Sequence, residues 1–321
     1  MVWILIIVFI LIILFVAIYY LTYKVLFYPM QEQDWTPDVK YQQLFIPTDY
    51  PYQHEIYTDI SNINNNRPCI TLWHFNNFNR RPTVLFFHGN SGNISHRKYV
   101  WQICQEFEFN LLLVDYRGYG KSKGDPTPQG ICDDGLVAYD YLLDHVHDPN
   151  NIIIWGESLG GAVAVNTASQ RRCRCLILLA TFASLEDVIF RHPDLPWYIK
   201  TMGIIIKHLV DNVPSKDRIR KVKDPVVIMH SREDEIIPYV NAEILYENIS
   251  HEFKDLIIVN GGHGTPKFNK ENLRRFFHYI IDYQRSPTLP EINIDDIHLT
   301  PIMNLIEETA TYLREQYGDE W

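Results

Sequence analysis

The chain has 321 residues, 46% of them hydrophobic, and a formal charge of −10 from 29 Lys and Arg against 39 Asp and Glu. That length suits one large α/β domain with a sizeable core. The acidic balance argues against nucleic acid as a partner, and the basic run Lys216 to Lys223 is broken by Asp217 and followed by Asp224. The five cysteines, Cys69, Cys104, Cys132, Cys173 and Cys175, lack the spacing of a disulfide framework and are expected to be reduced. Cys173 and Cys175 flank Arg174 at the entry to a strand and are expected to share a face. The 13 histidines include no His-x-x-x-His pair backed by carboxylates, so no metal site is expected.

In chain order, Val2 to Tyr23 comes first: uncharged and almost wholly Ile, Leu, Val, Phe, Tyr and Trp. Twenty-two residues rising 1.5 Å each reach about 33 Å, enough for a hydrocarbon core of about 30 Å. A cleaved signal peptide is the competing assignment, but no Lys or Arg precedes the run and no small-x-small site follows it. The expectation is an N-terminal transmembrane anchor over residues 1–24, with residues 2–23 in the bilayer and a single-pass membrane location. Flanking charge does not orient it. A lumenal body would make Asn93-Ile94-Ser95 and Asn248-Ile249-Ser250 glycosylation acceptors. Residues 30 to 60, punctuated by Pro37, Pro47 and Pro51, read as a tether followed by a first edge strand.

A regular cadence follows. Strands are expected at Ile70 to Phe75, Thr83 to Phe87, Leu111 to Val114, Ile152 to Trp155, Leu176 to Ala180, Val226 to Met229 and Leu256 to Val259. Helices are expected at Ser95 to Phe107, Thr127 to His145, Gly160 to Gln170, Tyr239 to Asn248 and Lys267 to Tyr283. Short apolar strands alternating with longer helices indicate an α/β fold: a mostly parallel central sheet covered by helices on both faces. Residues 184–222 read as a cap-like insertion whose Phe190, Leu195, Trp197, Met202, Ile204, Ile205 and Ile206 could line an acyl pocket. Residues 286–321 read as an acidic extension ending in a short helix from Pro301 to Tyr317. Its positions Ile302, Leu305, Ile306, Thr309 and Leu313 lie near one face and favour packing on the body.

Within this cadence, Gly156-Glu157-Ser158-Leu159-Gly160 lies between an apolar strand and an Ala/Gly-rich helix start. Strand, Gly-x-Ser-x-Gly turn and helix make a nucleophile elbow, which lifts a serine off the sheet above the first N–H groups of a helix. Gly156 and Gly160 leave room for close backbone approach. Active sites of open parallel sheets lie beyond the carboxyl ends of the strands, where His88-Gly89-Asn90, Asp115, Ser158, Asp234 and His263 all fall. Serine chemistry needs a base and an acid that orients it. His263, in Gly261-Gly262-His263-Gly264, is favoured as base over His230. Glu233, Asp234 and Glu235 all remain candidates for the acid. Backbone N–H groups of Leu159 and Asn90 are the expected oxyanion donors. Gly-x-Gly-x-x-Gly and a P-loop lysine are absent, and no cofactor is expected.

Residues 80 to 265 resemble the α/β-hydrolase superfamily, and within it the membrane-anchored α/β-hydrolase-domain-containing proteins. The resemblance rests on His88-Gly89-Asn90-Ser91-Gly92-Asn93-Ile94, Asp115-Tyr116-Arg117-Gly118-Tyr119-Gly120-Lys121-Ser122, Trp155-Gly156-Glu157-Ser158-Leu159-Gly160-Gly161, Ser231-Arg232-Glu233-Asp234-Glu235-Ile236-Ile237-Pro238 and Gly261-Gly262-His263. It implies a catalytic domain over 25–285 with Ser158 as nucleophile, Asp234 as acid and His263 as base. Tyr116 to Gly120, like His88, Gly89, Gly156 and Gly160, would be structural beside the site. Relatives commonly place a polar residue such as Asn after the histidine, where this chain has Gly264-Thr265-Pro266. The implied activity is hydrolysis of ester or thioester bonds of a lipid or acylated substrate. A serine peptidase and a non-catalytic scaffold are the alternatives.

Overall fold

The computed structural model describes residues 9, 27–49, 51–184, 187, 214–277 and 299–317. Eight strands form one sheet: β1 (Gln42–Pro47), β2 (Cys69–Phe75), β3 (Thr83–Phe87), β4 (Asn110–Asp115), β5 (Ile152–Glu157), β6 (Cys175–Leu179), β7 (Val226–Ser231) and β8 (Lys254–Val259). Their spatial order is β1-β2-β4-β3-β5-β6-β7-β8. β2 runs antiparallel to both β1 and β4, and every other pairing is parallel. β5 lies mid-sheet with Gly156 in register with Phe87 of β3 on one side and Leu178 of β6 on the other.

The helices are α1 (Lys98–Glu106), α2 (Pro128–Val146), α3 (Leu159–Ala168), α4 (Val240–Asn248), α5 (Lys270–Phe277) and α6 (Leu299–Tyr317). Strand side chains alternate between faces, and β3 shows why both faces need cover. Leu85 and Phe87 pack with Val137 and Val163 of α2 and α3, while Val84 and Phe86 pack with Val100, Phe276 and Ile306 of α1, α5 and α6. Each fully buried side chain of this kind contributes about 1.5–3 kcal/mol. Period-two burial on two sides is what the continuous apolar runs encode.

Local chemistry sets the boundaries. The Thr127 hydroxyl accepts the N–H of Gly130 and Pro128 opens the first turn of α2, which ends at His147 in the left-handed conformation. The helix expected from Ser95 is divided. Asn93 caps a single 3-10 turn, Ile94–His96, and α1 begins only at Lys98. The competing interaction is Asp115, whose Oδ1 takes the Ile94 N–H at 2.8 Å. Cys173 and Cys175 belong to opposite faces of the sheet rather than one, because Cys173 precedes β6 and follows no strand alternation.

The expected transmembrane helix is corrected. Among the described residues no helix is long and apolar enough to cross a membrane. The two longest are interrupted by charge, α2 by Asp133, Asp134, Asp140 and Asp144, and α6 by Glu307, Glu308, Arg314 and Glu315. Val2 to Tyr23, Phe9 apart, lie outside the described residues. The membrane-anchored subgroup, the bilayer as partner and a membrane location are withdrawn with it. Phe190, Leu195, Trp197, Met202 and Ile204 to Ile206, the middle of the cap-like insertion, also lie outside the described residues, as do 278–298.

The expected tether is not one from Phe27 onward. Phe27 is buried, Tyr28–Pro29 pairs in parallel with Ser91–Gly92, and the Asn93 amide donates to the carbonyls of Met30 and Glu32 at 3.0 and 2.6 Å. Asn93 is thereby fully buried and is no glycan acceptor in this fold.

Candidate active site

Ser158 sits between β5 and α3 with φ 51° and ψ −118°, a backbone conformation costly for a residue with a Cβ. The surroundings hold it there. Its N–H donates to Leu179 O at 2.9 Å, and its carbonyl accepts from Gly161 N–H at 2.9 Å and the Thr181 hydroxyl at 2.7 Å. Gly160 presses on the end of β3: a Cβ there would lie 2.0 Å from Phe87 O. A Cβ on Gly156 would lie 2.4 Å from Gly160 O. The two glycines are required by packing, because the turn is wedged against its neighbouring strand.

His263 follows β8 and points back to the elbow. Its Nε2 lies 2.9 Å from Ser158 Oγ and its Nδ1 lies 2.8 Å from Asp234 Oδ2. With Nδ1–H donating to the carboxylate, Nε2 is the atom free to accept the serine proton. Asp234 is buried after β7, and its Oδ1 accepts the backbone N–H groups of Ile236 and Ile237 at 3.0 and 2.7 Å. Burial would raise the Asp234 pKa, but the imidazoles of His263 and His230 outweigh it and hold the carboxyl well below the usual range. Burial would lower the His263 pKa. The Asp234 carboxylate, with Glu157 and Glu235 beyond it, reverses that and raises it above 6.5.

The three adjacent acids that sequence chemistry left unranked occupy three places. Asp234 meets the imidazole. Glu233 accepts the Gly261 N–H at 3.1 Å and Glu235 accepts the His263 N–H at 3.0 Å, so both carry the histidine's loop by its backbone. His230, the rival base, is engaged with Ile237 and Asp234. Its Nε2 donates to Ile237 O at 2.9 Å and lies 3.2 Å from Asp234 Oδ2, behind the carboxylate.

The loop after β3 borders the serine on its other side. A Cβ on Gly89 would be 3.4 Å from Ser158 Cβ, which brings the adjoining Asn90 alongside the elbow. Leu159 opens α3, where the first N–H groups have no intrahelical acceptor. The Tyr116 hydroxyl donates to His88 O and the Tyr119 hydroxyl to Asn90 Oδ1, both at 2.9 Å. His88 is buried, with Nδ1 2.6 Å from Gly89 O and Nε2 3.3 Å from Asp115. This scaffold braces Asn90 from beneath.

Sequence reasoning missed two contributors. The first is the segment from Phe27, docked on the same loop. The second is α6, read as packing on the body. Its Thr309, Ala310 and Leu313 form one wall of a cleft opposite His263, Glu157, Tyr99 and Arg97. Tyr312 stacks on His96 with ring centroids 5.4 Å apart, and Arg314 lies 3.6 Å from Glu235. The one-face spacing of Ile302, Leu305, Ile306, Thr309 and Leu313 signalled that α6 packs; nothing in it signalled against what.

A family model described as the alpha/beta hydrolase fold matches residues 82–204. Uncharacterized protein R595 of Acanthamoeba polyphaga mimivirus is 31% identical over 202 residues, 57% of this chain and 67% of that protein. This chain belongs to the α/β-hydrolase superfamily. The alpha/beta hydrolase domain-containing protein WAV2 of Arabidopsis thaliana is 38% identical over 177 residues, 52% of this chain and 58% of that protein. The chain thus spans little more than half the length of the first curated relatives it matches. Among solved structures, a Pyrococcus furiosus esterase superposes with a TM-score of 0.61 at 18% identity, covering 81% of this chain and 98% of that one, a likeness of fold. Within the superfamily's sheet, the site stands where β3, β5, β7 and β8 end.

Proposed function

We propose that this α/β-hydrolase cleaves ester or thioester bonds of acyl substrates by a serine mechanism, with Ser158 as nucleophile, His263 as base and Asp234 as the acid that orients it. The observation that carries the reading is the hydrogen-bonded chain Ser158–His263–Asp234, with separations of 2.9 and 2.8 Å. A non-catalytic scaffold would have no need of it. His263 Nε2 takes the hydroxyl proton as Ser158 Oγ attacks the carbonyl carbon. Leu159 and Asn90 N–H groups receive the developing oxyanion, and each such donor is worth about 3–4 kcal/mol of barrier. The imidazolium then protonates the departing alcohol or thiol, and water activated by the same nitrogen frees the acyl-enzyme. Asp234 stays ionised throughout, since its pKa is held low.

Purified protein assayed on p-nitrophenyl acyl esters and acyl thioesters of graded chain length tests the class. Turnover that varies with acyl length supports the reading. Folded protein that turns over none of them, yet cleaves peptides at Ser158, would replace it with the peptidase alternative.

A further inference from the structure

The loop after β3 has little of its own to hold it. It runs through Gly89, Asn90, Ser91 and Gly92, with Gly92 at φ 76°, and glycine leaves a backbone free to move. Residues 27–34 supply what the loop lacks. Phe27 is buried and packs into the core. Tyr28–Pro29 runs in parallel register with Ser91–Gly92, and the Tyr28 N–H donates to Asn90 Oδ1 at 3.4 Å. Further along, Met30 O accepts the Gly120 N–H at 2.9 Å, and Gln31 Nε2 donates to Gly118 O at 2.9 Å. The Asp34 N–H donates to Ser95 Oγ at 3.0 Å. Asn93 closes the contact from the body's side, its Nδ2 donating to both Met30 O and Glu32 O.

The segment therefore crosses two loops, the one after β3 and the one after β4, and ties them together beside the nucleophile. Asn90 lies where they meet. Its Oδ1 accepts the Tyr28 N–H from the segment and the Tyr119 hydroxyl, at 2.9 Å, from the loop after β4. Two donors on one atom fix the side chain, and with it the peptide that carries the Asn90 N–H. An oxyanion donor works only when it is already aimed at the place where charge develops. A misplacement of about 1 Å can cost roughly 10²-fold in rate.

We infer that residues 27–34 are a strap that positions the oxyanion donor Asn90, and that Asn93 is the positioning residue that holds the strap in place. The inference rests on the ester-hydrolase reading above. The plain alternative is an anchor that only stabilises the fold. Against it, these hydrogen bonds all land on the loops that follow β3 and β4, and none on the eight-stranded sheet itself.

Asn93→Asp in the full chain tests the strap. Aspartate keeps the Oδ1 that accepts the Ser95 N–H and removes the amide hydrogens from Met30 O and Glu32 O. Turnover of p-nitrophenyl butyrate is taken per Ser158 labelled at completion by a fluorophosphonate, so unfolded protein is not counted. The expected fall in kcat is roughly 10- to 100-fold, short of deleting a donor outright, with KM little changed. An alkyl trifluoromethyl ketone is the second probe. Ser158 Oγ adds to its carbonyl carbon, the hydroxyl proton passes to His263, and the carbonyl oxygen becomes the oxyanion. Its affinity should fall by about the same factor as kcat/KM. Gln31→Met, at an exposed side chain, removes only the bond to Gly118 O and should lower kcat by roughly two- to fivefold.

An anchor that only stabilises would lower the labelled fraction and leave kcat per labelled site unchanged. That result, or an unmoved affinity for the trifluoromethyl ketone, overturns the inference, while wild-type turnover leaves the ester-hydrolase reading standing. Where Asn93→Asp yields no folded protein, an unchanged kcat in Gln31→Met overturns it. Folded wild-type protein that turns over no ester and takes no fluorophosphonate on Ser158 overturns both.

Discussion

The elbow that carries Ser158 and the loop that carries His263 meet at 2.9 Å, yet the fold holds them by different means. The elbow is fixed by backbone: its N–H and carbonyl bond to Leu179, Gly161 and Thr181, and Gly160 is wedged against Phe87 O. The histidine loop lies beyond the last strand, and side chains carry it, Glu233 on Gly261 N–H, Glu235 on His263 N–H and Asp234 on the ring. The strained backbone of Ser158 is held between a mid-sheet strand and the helix that follows it. His263 and its loop hang on three carboxylates from the neighbouring strand end. Substitutions in the elbow should therefore damage fold and activity together, and substitutions among the carboxylates should act on activity first.

The largest expected effect is that of Ser158→Ala, a loss of roughly 10⁵- to 10⁶-fold in kcat with no loss of folded protein, measured by ester turnover beside circular dichroism. Retained turnover would place the nucleophile elsewhere. Asp234→Asn comes next, with kcat lower by roughly 10⁴-fold because the imidazole loses its orienting partner and settles in the wrong tautomer. A comparable loss in Glu235→Gln, with Asp234→Asn mild, would exchange the roles of the two acids.

Gly160→Ala sharpens the elbow's half of the comparison. Its new Cβ would overlap Phe87 O, and relief of that overlap should cost about 2–3 kcal/mol of stability, read as a lower urea midpoint. An unchanged midpoint would mean that the elbow is not wedged as described. The smallest effect is expected for Glu235→Gln, which keeps an oxygen on the His263 N–H but loses its charge. A fall of about threefold to tenfold in kcat at unchanged urea midpoint is expected, in line with about 1 kcal/mol for one hydrogen bond.

The same contrast governs what the sequence revealed. The elbow is legible because its cause is local: two glycines within five residues, an apolar strand before and small residues after. The apolar strands were legible to within a few residues because two-sided burial leaves runs such as Thr83–Phe87. The acid was not legible from chemistry, since Glu233, Asp234 and Glu235 are equivalent as residue types and only their contacts, 28 and 29 residues away, separate them. It was the resemblance that singled out Asp234. The docking of the segment from Phe27 and the wall made by α6 were illegible for the same reason. Both depend on partners distant in the chain, Asn93 for one and the cleft beside His263 for the other. Apolar length at the N-terminus, Val2 to Tyr23, gave the expectation of a membrane span; no helix among the described residues is long and apolar enough to be one, and Val2 to Tyr23, Phe9 apart, lie outside them.

The most direct test of the Ser158–His263–Asp234 chain is the pH dependence of fluorophosphonate attachment, mapped by mass spectrometry. The base must be neutral to accept the proton, and Asp234 raises the His263 pKa above 6.5. One adduct on Ser158 is expected, forming faster as pH rises, with a midpoint above 6.5. In Asp234→Asn the adduct should form far more slowly and with a lower midpoint, because the carboxylate that favours the imidazolium is gone. An adduct on another residue, or a midpoint that Asp234→Asn leaves in place, would contradict the account.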